Sequence, residues 1–200
     1  MPKNIGYLTS SRSVDSDNVY TPPYVVHAIS KYIRLGFDFI LDSSPLIHEK
    51  TTIILCPFSK DEHAFPTVFR SLGYEVINSH YDPETGEGKD FFSYTKEEVM
   101  RMGVDYIIDN PPFSSKDRVL QHCEELDRPY ALLLPIQTLQ SIKRYNTVFS
   151  KGNTQALIFD KRIGYGTKTK TWEEMGMTNH FASIFICKDV LPQQLIFDKL

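Results

Sequence analysis

The tetrapeptide Asn110-Pro111-Pro112-Phe113 combines groups that could activate the exocyclic amine of a nucleobase. The side-chain oxygen of Asn110 and the carbonyl of Pro111 can each accept a hydrogen bond from such an amine. When both protons are held in this way, the nitrogen is drawn toward tetrahedral geometry and its lone pair is freed for attack. The ring of Phe113 could stack on a base that has left its helix. The sequence therefore predicts a site for the exocyclic amine of a flipped base at this tetrapeptide.

A strand, a rigid loop and a helix should position these groups. Residues 106–108 form a short apolar run that predicts a buried strand. The two prolines then remove two backbone donors and fix φ, so the sheet ladder cannot continue. Ser114 and Ser115 offer helix N-caps, and apolar residues follow at helical spacing, namely Val119, Leu120, Cys123 and Leu126. Open α/β sheets bind their ligands at the carboxyl ends of strands, where this loop would lie.

An ordinary proline turn after a strand is the alternative interpretation. Such a tetrapeptide arises by chance in about one chain of this length in a hundred, so the functional interpretation is favoured. Residues 110–113 resemble the signature of the amino-methyltransferases, which is Asn, Asp or Ser, then Pro-Pro, then an aromatic residue. From Tyr20 to about Pro192 the order of segments resembles adenine-specific DNA methyltransferases of the phage and prophage type. This resemblance implies catalytic roles for Asn110, Pro111, Pro112 and Phe113.

Further apolar runs alternate with helical patterns along the chain, which favours a doubly wound α/β sheet. Predicted strands cover 51–56, 74–78, 130–134, 154–160 and 180–187. The last two lack a long helical pattern between them and are predicted to form an antiparallel pair. The resemblance implies a Rossmann-like S-adenosylmethionine-dependent methyltransferase fold, with a mostly parallel sheet and an antiparallel closing strand.

The segment from Thr51 to Gly73 reads as a strand ending at Cys56, a loop beginning Pro57-Phe58, and a helix that Gly73 closes. By resemblance, this unit forms the pocket for S-adenosylmethionine, with Cys56, Pro57 and Phe58 as cofactor contacts. Most methyltransferases place a glycine-rich turn here, whereas this loop has no glycine. It resembles a subset whose loop reads Cys-Pro-Phe followed by an acidic stretch.

Tyr20-Thr21-Pro22 precedes another helical pattern, with Thr21 as a good N-cap and Pro22 as a good first helical residue. A well-capped helix start is one interpretation of this segment. In the adenine methyltransferases a similar Tyr-Thr-Pro segment often precedes the cofactor loop. The resemblance therefore implies that these residues lie beside the methionine end of the cofactor.

Two later segments carry the remaining cofactor predictions. Relatives place a carboxylate after the second strand to bind the cofactor ribose, and here His80 occupies that position with Asp82 two residues later. Either could instead be a surface residue. Asp90-Phe91 resembles the segment that holds the cofactor adenine, so Asp90 is predicted to accept from its amine and Phe91 to wall its ring. A short edge strand with core phenylalanines is the alternative.

A basic region with interleaved aromatic residues extends from Lys143 to Trp172 and contains a single acid, Asp160. Basic side chains can neutralise phosphates, and aromatic rings can stack on nucleobases. A solvated charged face is nevertheless the usual explanation for such a region. The predicted nucleic-acid contacts are Lys161, Arg162, Tyr165, Lys168 and Lys170.

Composition bounds these predictions. The chain has 200 residues, 41% of them hydrophobic, and a net charge of -3, so nucleic-acid binding needs a local patch. We expect a flexible segment at 1–19, then one methyltransferase domain at 20–200 without a sizeable separate target-recognition domain. The three cysteines predict buried reduced thiols in a cytoplasmic protein. No apolar stretch approaches membrane-spanning length, and no spacing indicates a metal site.

The resemblance thus implies a DNA adenine methyltransferase that uses S-adenosylmethionine. Three alternatives stay open at this point: an RNA adenine methyltransferase, an enzyme that methylates glutamine amides, and a non-catalytic nucleic-acid-binding relative. The glycine-free loop motivates the last of these, and the basic region argues against the glutamine interpretation.

Overall fold

The computed structural model describes residues 20–34, 37–38, 48–49, 51–166, 172–175 and 181–200. The segment 1–19 and the predicted contacts Lys168 and Lys170 lie outside these residues.

The core of the protein is a seven-stranded mixed sheet. A separate antiparallel pair is formed by β1 (Phe37–Asp38) and β2 (His48–Glu49). The strands of the main sheet are β3 (Ile53–Cys56), β4 (Glu75–Asn78), β5 (Tyr106–Asp109), β6 (Tyr130–Pro135), β7 (Thr154–Phe159), β8 (Ser183–Lys188) and β9 (Leu195–Asp198). Their order across the sheet is β4-β3-β5-β6-β8-β7-β9.

Only β8 runs against its neighbours in this sheet. It pairs antiparallel with both β6 and β7, whereas all other neighbouring pairs are parallel. The predicted antiparallel pairing of the last two predicted strands is therefore confirmed. β8 lies inside the sheet, and β9, which had no counterpart among the predicted strands, forms the edge beyond β7.

Helices cover both faces of the sheet because successive side chains of a strand point to opposite faces. The helices are α1 (Pro23–Ser30), α2 (Ala64–Ser71), α3 (Lys96–Arg101), α4 (Lys116–Leu126), α5 (Ile142–Thr147) and α6 (Trp172–Met175). One hydrophobic cluster joins α1 and α2 to Ile54, Ile108 and Leu133. The other joins α3 and α4 to Leu55 and Ile107 on the opposite face.

Local signals explain where the elements near the site begin and end. Gly73 closes α2 with φ +88°, a conformation that favours glycine. β5 ends at the prolines, as predicted, and a 3₁₀ turn at Phe113–Ser115 leads into α4. The parallel strands β3, β4, β5 and β6 thus present their carboxyl ends at one edge of the sheet, where the candidate site lies.

Two further sequence predictions concern the core and the membrane. The three cysteines are free thiols and buried, as predicted. Within the described ranges, no helix has both the length and the apolar character that spanning a membrane requires.

Candidate active site

A cavity of about 740 Å³ opens at the carboxyl edge of the parallel strands. Sites for small molecules typically occupy about 300–1,000 Å³, so a ligand of cofactor size fits. Four parts of the chain line the cavity: the start of α1, the loop after β3 with the first turns of α2, the segment 80–91, and residues 109–115. The tetrapeptide and the segments assigned to cofactor binding are therefore brought together around one space.

Asn110 presents an unused hydrogen-bond acceptor at this cavity. Its Nδ2 donates to Thr21 Oγ1 at 3.1 Å, which orients the amide. Its Oδ1 is buried and has no hydrogen-bond partner among the described residues. Leaving such a group unpaired costs about 1–3 kcal/mol, so the geometry calls for a donor from a ligand.

The rest of the tetrapeptide also borders the cavity, with Pro111, Pro112 and Phe113 in its wall. The Phe113 ring is largely buried and meets the Phe181 ring edge-to-face, with centroids 5.4 Å apart. Lys116 donates from Nζ to the Phe113 carbonyl at 2.9 Å and so holds the turn that leads into α4. The loop is therefore held in place on both sides of Asn110.

Asp109 links this loop to the loop that follows β3. One carboxylate oxygen accepts from Ser59 Oγ at 2.7 Å and from the Asn110 N–H at 2.8 Å. The other accepts from the Phe58 N–H at 2.7 Å. Burial raises the pKa of Asp109 to about 6, although these hydrogen bonds favour the charged form. One carboxylate thus fixes two loops relative to each other.

The loop after β3 divides its predicted cofactor contacts between cavity and core. Pro57 and Phe58 line the cavity. Cys56 does not: its side chain is fully buried in the cluster with α1 and α2, and burial raises the pKa of its thiol well above the usual range. The prediction that Cys56 contacts the cofactor is corrected, because the last residue of β3 points into the core.

The segment before α1 reaches the cavity through Tyr20 and Thr21. α1 begins at Pro23 with Pro22 at the N-cap position, and Pro22 is not part of the cavity wall. The prediction that Thr21 caps the helix is therefore corrected, because its hydroxyl accepts from the Asn110 amide instead. Tyr20 forms a backbone bridge to Gly166 through two hydrogen bonds, with N···O distances of 2.9 and 3.0 Å.

His80 and Asp82 differ in their position relative to the cavity. His80 lines the cavity and donates from Nδ1 to the Phe58 carbonyl at 3.1 Å. Asp82 is not part of the cavity wall; its Oδ1 accepts from the Glu84 N–H at 2.8 Å and shapes the turn. That backbone hydrogen bond lowers the pKa of Asp82. Of the two residues predicted at the ribose, His80 alone borders the cavity.

Asp90 and Phe91 both line the cavity, but neither lies on an edge strand. Asp90 caps a 3₁₀ helix at Phe91–Ser93 by accepting from the Phe92 N–H at 3.0 Å. The Phe91 ring is buried, with ring centroids 5.0 Å from both Phe58 and His122. Phe91 thus packs in the hydrophobic core and also forms part of the cavity wall.

Sequence reasoning missed His63, Ser59 and Asp109 as members of this site. His63 lies at the N-cap position of α2 and lines the cavity. Its Nδ1 accepts from the Lys60 N–H at 3.2 Å, and desolvation lowers its pKa, so the ring is neutral at pH 7. The signal was the polar run Ser59-Lys60-Asp61-Glu62-His63 at a strand-to-helix turn.

The basic region divides between surface and core. Lys161 and Arg162 are exposed, as phosphate contacts would need to be. Tyr165 is only 1% exposed and packs on Phe181 with ring centroids 5.9 Å apart. The prediction that Tyr165 stacks on a base is corrected, because a ring buried in the core has no free face for a base.

Comparison with known proteins gives likenesses in structure alone. No family model and no curated protein matches the chain. A modification subunit of a putative type I restriction enzyme from Vibrio vulnificus YJ016 is 13% identical with a TM-score of 0.53, over 92% of this chain and 47% of that one. A putative class I S-adenosylmethionine-dependent methyltransferase from Listeria monocytogenes is 14% identical with a TM-score of 0.48, over 96% of this chain and 68% of that one.

The chain spans about half the length of the Vibrio subunit. At such low identity, a structural likeness concerns the fold and not the activity. The seven-stranded, mostly parallel sheet and the likeness to the Vibrio subunit together confirm the predicted fold class: the chain has a mixed, Rossmann-like α/β fold.

Proposed function

We propose that this protein transfers a methyl group from S-adenosylmethionine to the exocyclic amine of adenine in DNA. The observation that carries the proposal is the buried Oδ1 of Asn110, which has no partner among the described residues. Thr21 holds the amide from the other side, so this oxygen is directed to accept from a ligand. The proline that follows has no N–H, so its peptide group offers only its acceptor side.

The residues around the cavity fit S-adenosylmethionine, which would supply a methyl group bound to a sulfonium sulfur. Asp90 and Phe91 would hold its adenine, and the imidazoles of His63 and His80, with ring centroids 6.3 Å apart, would bind ribose hydroxyls. The glycine-free loop would contact the cofactor through other groups than the backbone amides that a glycine-rich loop offers. Its Phe58 N–H already binds Asp109, so side chains and not this amide would face the cofactor.

The target amine would be activated by the tetrapeptide. Asn110 Oδ1 would accept a hydrogen bond from one N–H of the amine and the Pro111 carbonyl from the other, which raises the nucleophilicity of the nitrogen. Phe113 fixes the plane of the base. The amine nitrogen would then form a bond to the methyl carbon while the bond from that carbon to the sulfonium sulfur breaks. The neutral thioether would leave with the electron pair of that bond, and the methylated amine would release one proton to water. Asp109 does not take that proton in this scheme, because its two oxygens already accept from three donors.

Two observations favour DNA as the carrier of the adenine. The Vibrio neighbour is described as a modification subunit of a restriction enzyme, and exposed Lys161 and Arg162 suit phosphate contacts. RNA adenine would meet the same acceptors. A non-catalytic relative is the second candidate, since the Phe58 N–H is already bound to Asp109 and cannot hold a cofactor. Calorimetric titration with S-adenosylmethionine separates this candidate from an enzyme.

The test is mass-spectrometric detection of N6-methyladenine in unmethylated plasmid DNA and in RNA after incubation with S-adenosylmethionine. Asn110→Ala should abolish the product while cofactor affinity and the fold stay nearly intact. Asn153→Ala is the matched control, because Asn153 lies before β7 at the opposite edge of the sheet. Near-wild-type turnover by Asn110→Ala would refute the mechanism. Sequencing DNA from cells that express the protein would then locate the methylated adenines.

A further inference from the structure

The segment that follows β4 folds back on itself, and we call residues 79–89 the clasp loop. Its two ends are joined by the Lys89 N–H, which donates to the Ser79 carbonyl at 3.1 Å. Nearer the tip, the Asp82 N–H donates to the Glu87 carbonyl at 2.9 Å. The clasp loop is therefore closed by its own backbone hydrogen bonds.

Gly88 lies where the two sides of the clasp loop approach each other closely. Its φ of +82° is in the left-handed region, which favours glycine. A Cβ atom at this position would lie 1.9 Å from the carbonyl oxygen of His80 and 2.7 Å from its carbonyl carbon. Both are backbone atoms, so no rotation of a side chain could relieve the contact. Only a residue without a side chain therefore permits this approach.

The clasp loop connects two residues of the cavity wall. His80 belongs to the loop and Asp90 follows it directly, and both line the cavity. Each end of the loop is also held from outside: His80 donates to the Phe58 carbonyl at 3.1 Å, and Lys89 pairs with Glu98 of α3. The distance between the two wall residues thus depends on how closely the two sides of the clasp loop approach.

We propose that Gly88 is a positioning residue for S-adenosylmethionine, because its close approach sets the spacing between His80 and Asp90. This inference rests on the proposed function, in which these two residues hold the ribose and the adenine of the cofactor. A side chain at position 88 would have to increase its separation from the His80 carbonyl oxygen from 1.9 Å to at least 3.4 Å, where ordinary van der Waals contact begins. A displacement of that size is enough to break a hydrogen bond, so one of the two wall residues would lose its contact with the cofactor.

The experiment is calorimetric titration of Gly88→Ala with S-adenosylmethionine, with Gly86→Ala as the matched control. Gly86 lies in the same loop with φ +74°, and a Cβ atom there would meet no atom of the described residues within 4 Å. Both variants therefore carry comparable backbone strain, and only Gly88→Ala adds the clash. The dissociation constant should rise about tenfold or more in Gly88→Ala, as for the loss of one hydrogen bond to a charged group, and less than about threefold in Gly86→Ala.

Two further measurements separate positioning from a general loss of structure. In steady-state assays Gly88→Ala should raise the KM for S-adenosylmethionine and leave kcat near wild type, because Asn110 lies on a different loop. The affinity for 5′-methylthioadenosine, which carries the nucleoside half of the cofactor without the amino acid, should fall by the same factor as the affinity for the whole cofactor. Equal cofactor affinities of Gly88→Ala and Gly86→Ala, or a loss confined to S-adenosylmethionine, would overturn the proposal.

Amide hydrogen exchange on the unaltered protein decides the proposal if Gly88→Ala does not fold. The N–H groups of Lys89 and Asp82 should be protected in the cofactor-free protein, because both donate within the clasp loop. Rapid exchange of both would show that the loop is not held closed and would overturn the proposal. If the unaltered protein binds S-adenosylmethionine but methylates no adenine, the proposed function fails, whereas the calorimetric comparison still decides the role of Gly88. If it binds no S-adenosylmethionine, both fail before any substitution is made.

Discussion

Replacing Asp109 by Asn should uncouple the two loops of the candidate site. Asn keeps one acceptor oxygen, which can still bind Ser59 and the Asn110 N–H. Its NH₂ group would then face the Phe58 N–H, so two donors meet where the carboxylate now accepts at 2.7 Å. We expect the loop after β3 to shift relative to Asn110, which lowers kcat and weakens S-adenosylmethionine binding.

The expected effect on stability is much smaller than the effect on activity. A hydrogen bond to a charged group contributes about 1.5–3 kcal/mol, which the substitution removes. The pKa of Asp109, raised from 3.8 to about 6, shows that the fold disfavours its charge. A shift of that size corresponds to about 3 kcal/mol, which a neutral side chain regains. The two effects nearly cancel, so the free energy of unfolding should change by about 1 kcal/mol or less.

The raised pKa of Asp109 also determines whether stability and activity rise or fall with pH. Because the pKa of Asp109 is higher in the folded protein, the folded state holds a proton that the unfolded state has lost between pH 3.8 and about 6. The contribution of this group to stability therefore falls as pH rises through that window and is constant above it. Activity should move in the opposite direction: below about pH 6 the protonated carboxyl loses an acceptor, the loops loosen, and turnover drops.

The assay is kcat as a function of pH, with urea unfolding at the same pH values. Wild type should show an acidic limb near pH 6 that is missing in Asp109→Asn. Asp105→Asn is the matched control, because Asp105 accepts from the Ile53 N–H at 2.9 Å at the other end of β5. An Asp109→Asn variant with wild-type turnover and an unchanged acidic limb would refute the coupling role.

Two further predictions concern the cofactor and the phosphates. Asp90→Ala should weaken S-adenosylmethionine binding by about 1.5–3 kcal/mol in calorimetry, the range for a hydrogen bond to a charged group; unchanged affinity would leave Asp90 as a helix cap only. Replacing Lys168 and Lys170 by Ala should weaken DNA binding on all sequences alike and lower the slope of log affinity against log salt by about 0.9 for each phosphate that the variant no longer neutralises. Lys96→Ala is the exposed control, and if the double variant matches it in both affinity and slope, these lysines form a solvated face.

Strong local patterns allowed the sheet to be predicted from the sequence. The run at Tyr130–Pro135 is apolar throughout its first five residues, and it forms the central strand β6. The prolines after β5 and the glycine after α2 end their elements where predicted, because each acts through its own backbone. The position of the tetrapeptide at the carboxyl edge follows from the same local order of strand, loop and helix.

The contacts that make a site of this edge depend on residues far apart in the chain. Thr21 and Asn110 are separated by 89 positions, and Ser59 and Asp109 by 50. No local propensity encodes these pairings. Ser59 reaches Asp109 only once β3 and β5 are neighbours in the sheet, and Thr21 reaches Asn110 only once α1 packs on that sheet. From the sequence alone, Asp109 was therefore interpreted as the end of a strand and Thr21 as a helix cap.

The division between surface and core was decided in the same way. Tyr165 and Arg144 both belong to a basic, aromatic stretch that predicts a nucleic-acid surface, yet both side chains are buried. Tyr165 packs on Phe181, and Arg144 binds the carboxylate of Asp117 and carbonyls of its own loop. Residue type sets what a side chain can bind, but only the packing of distant segments determines whether it meets solvent, a ligand or the protein itself.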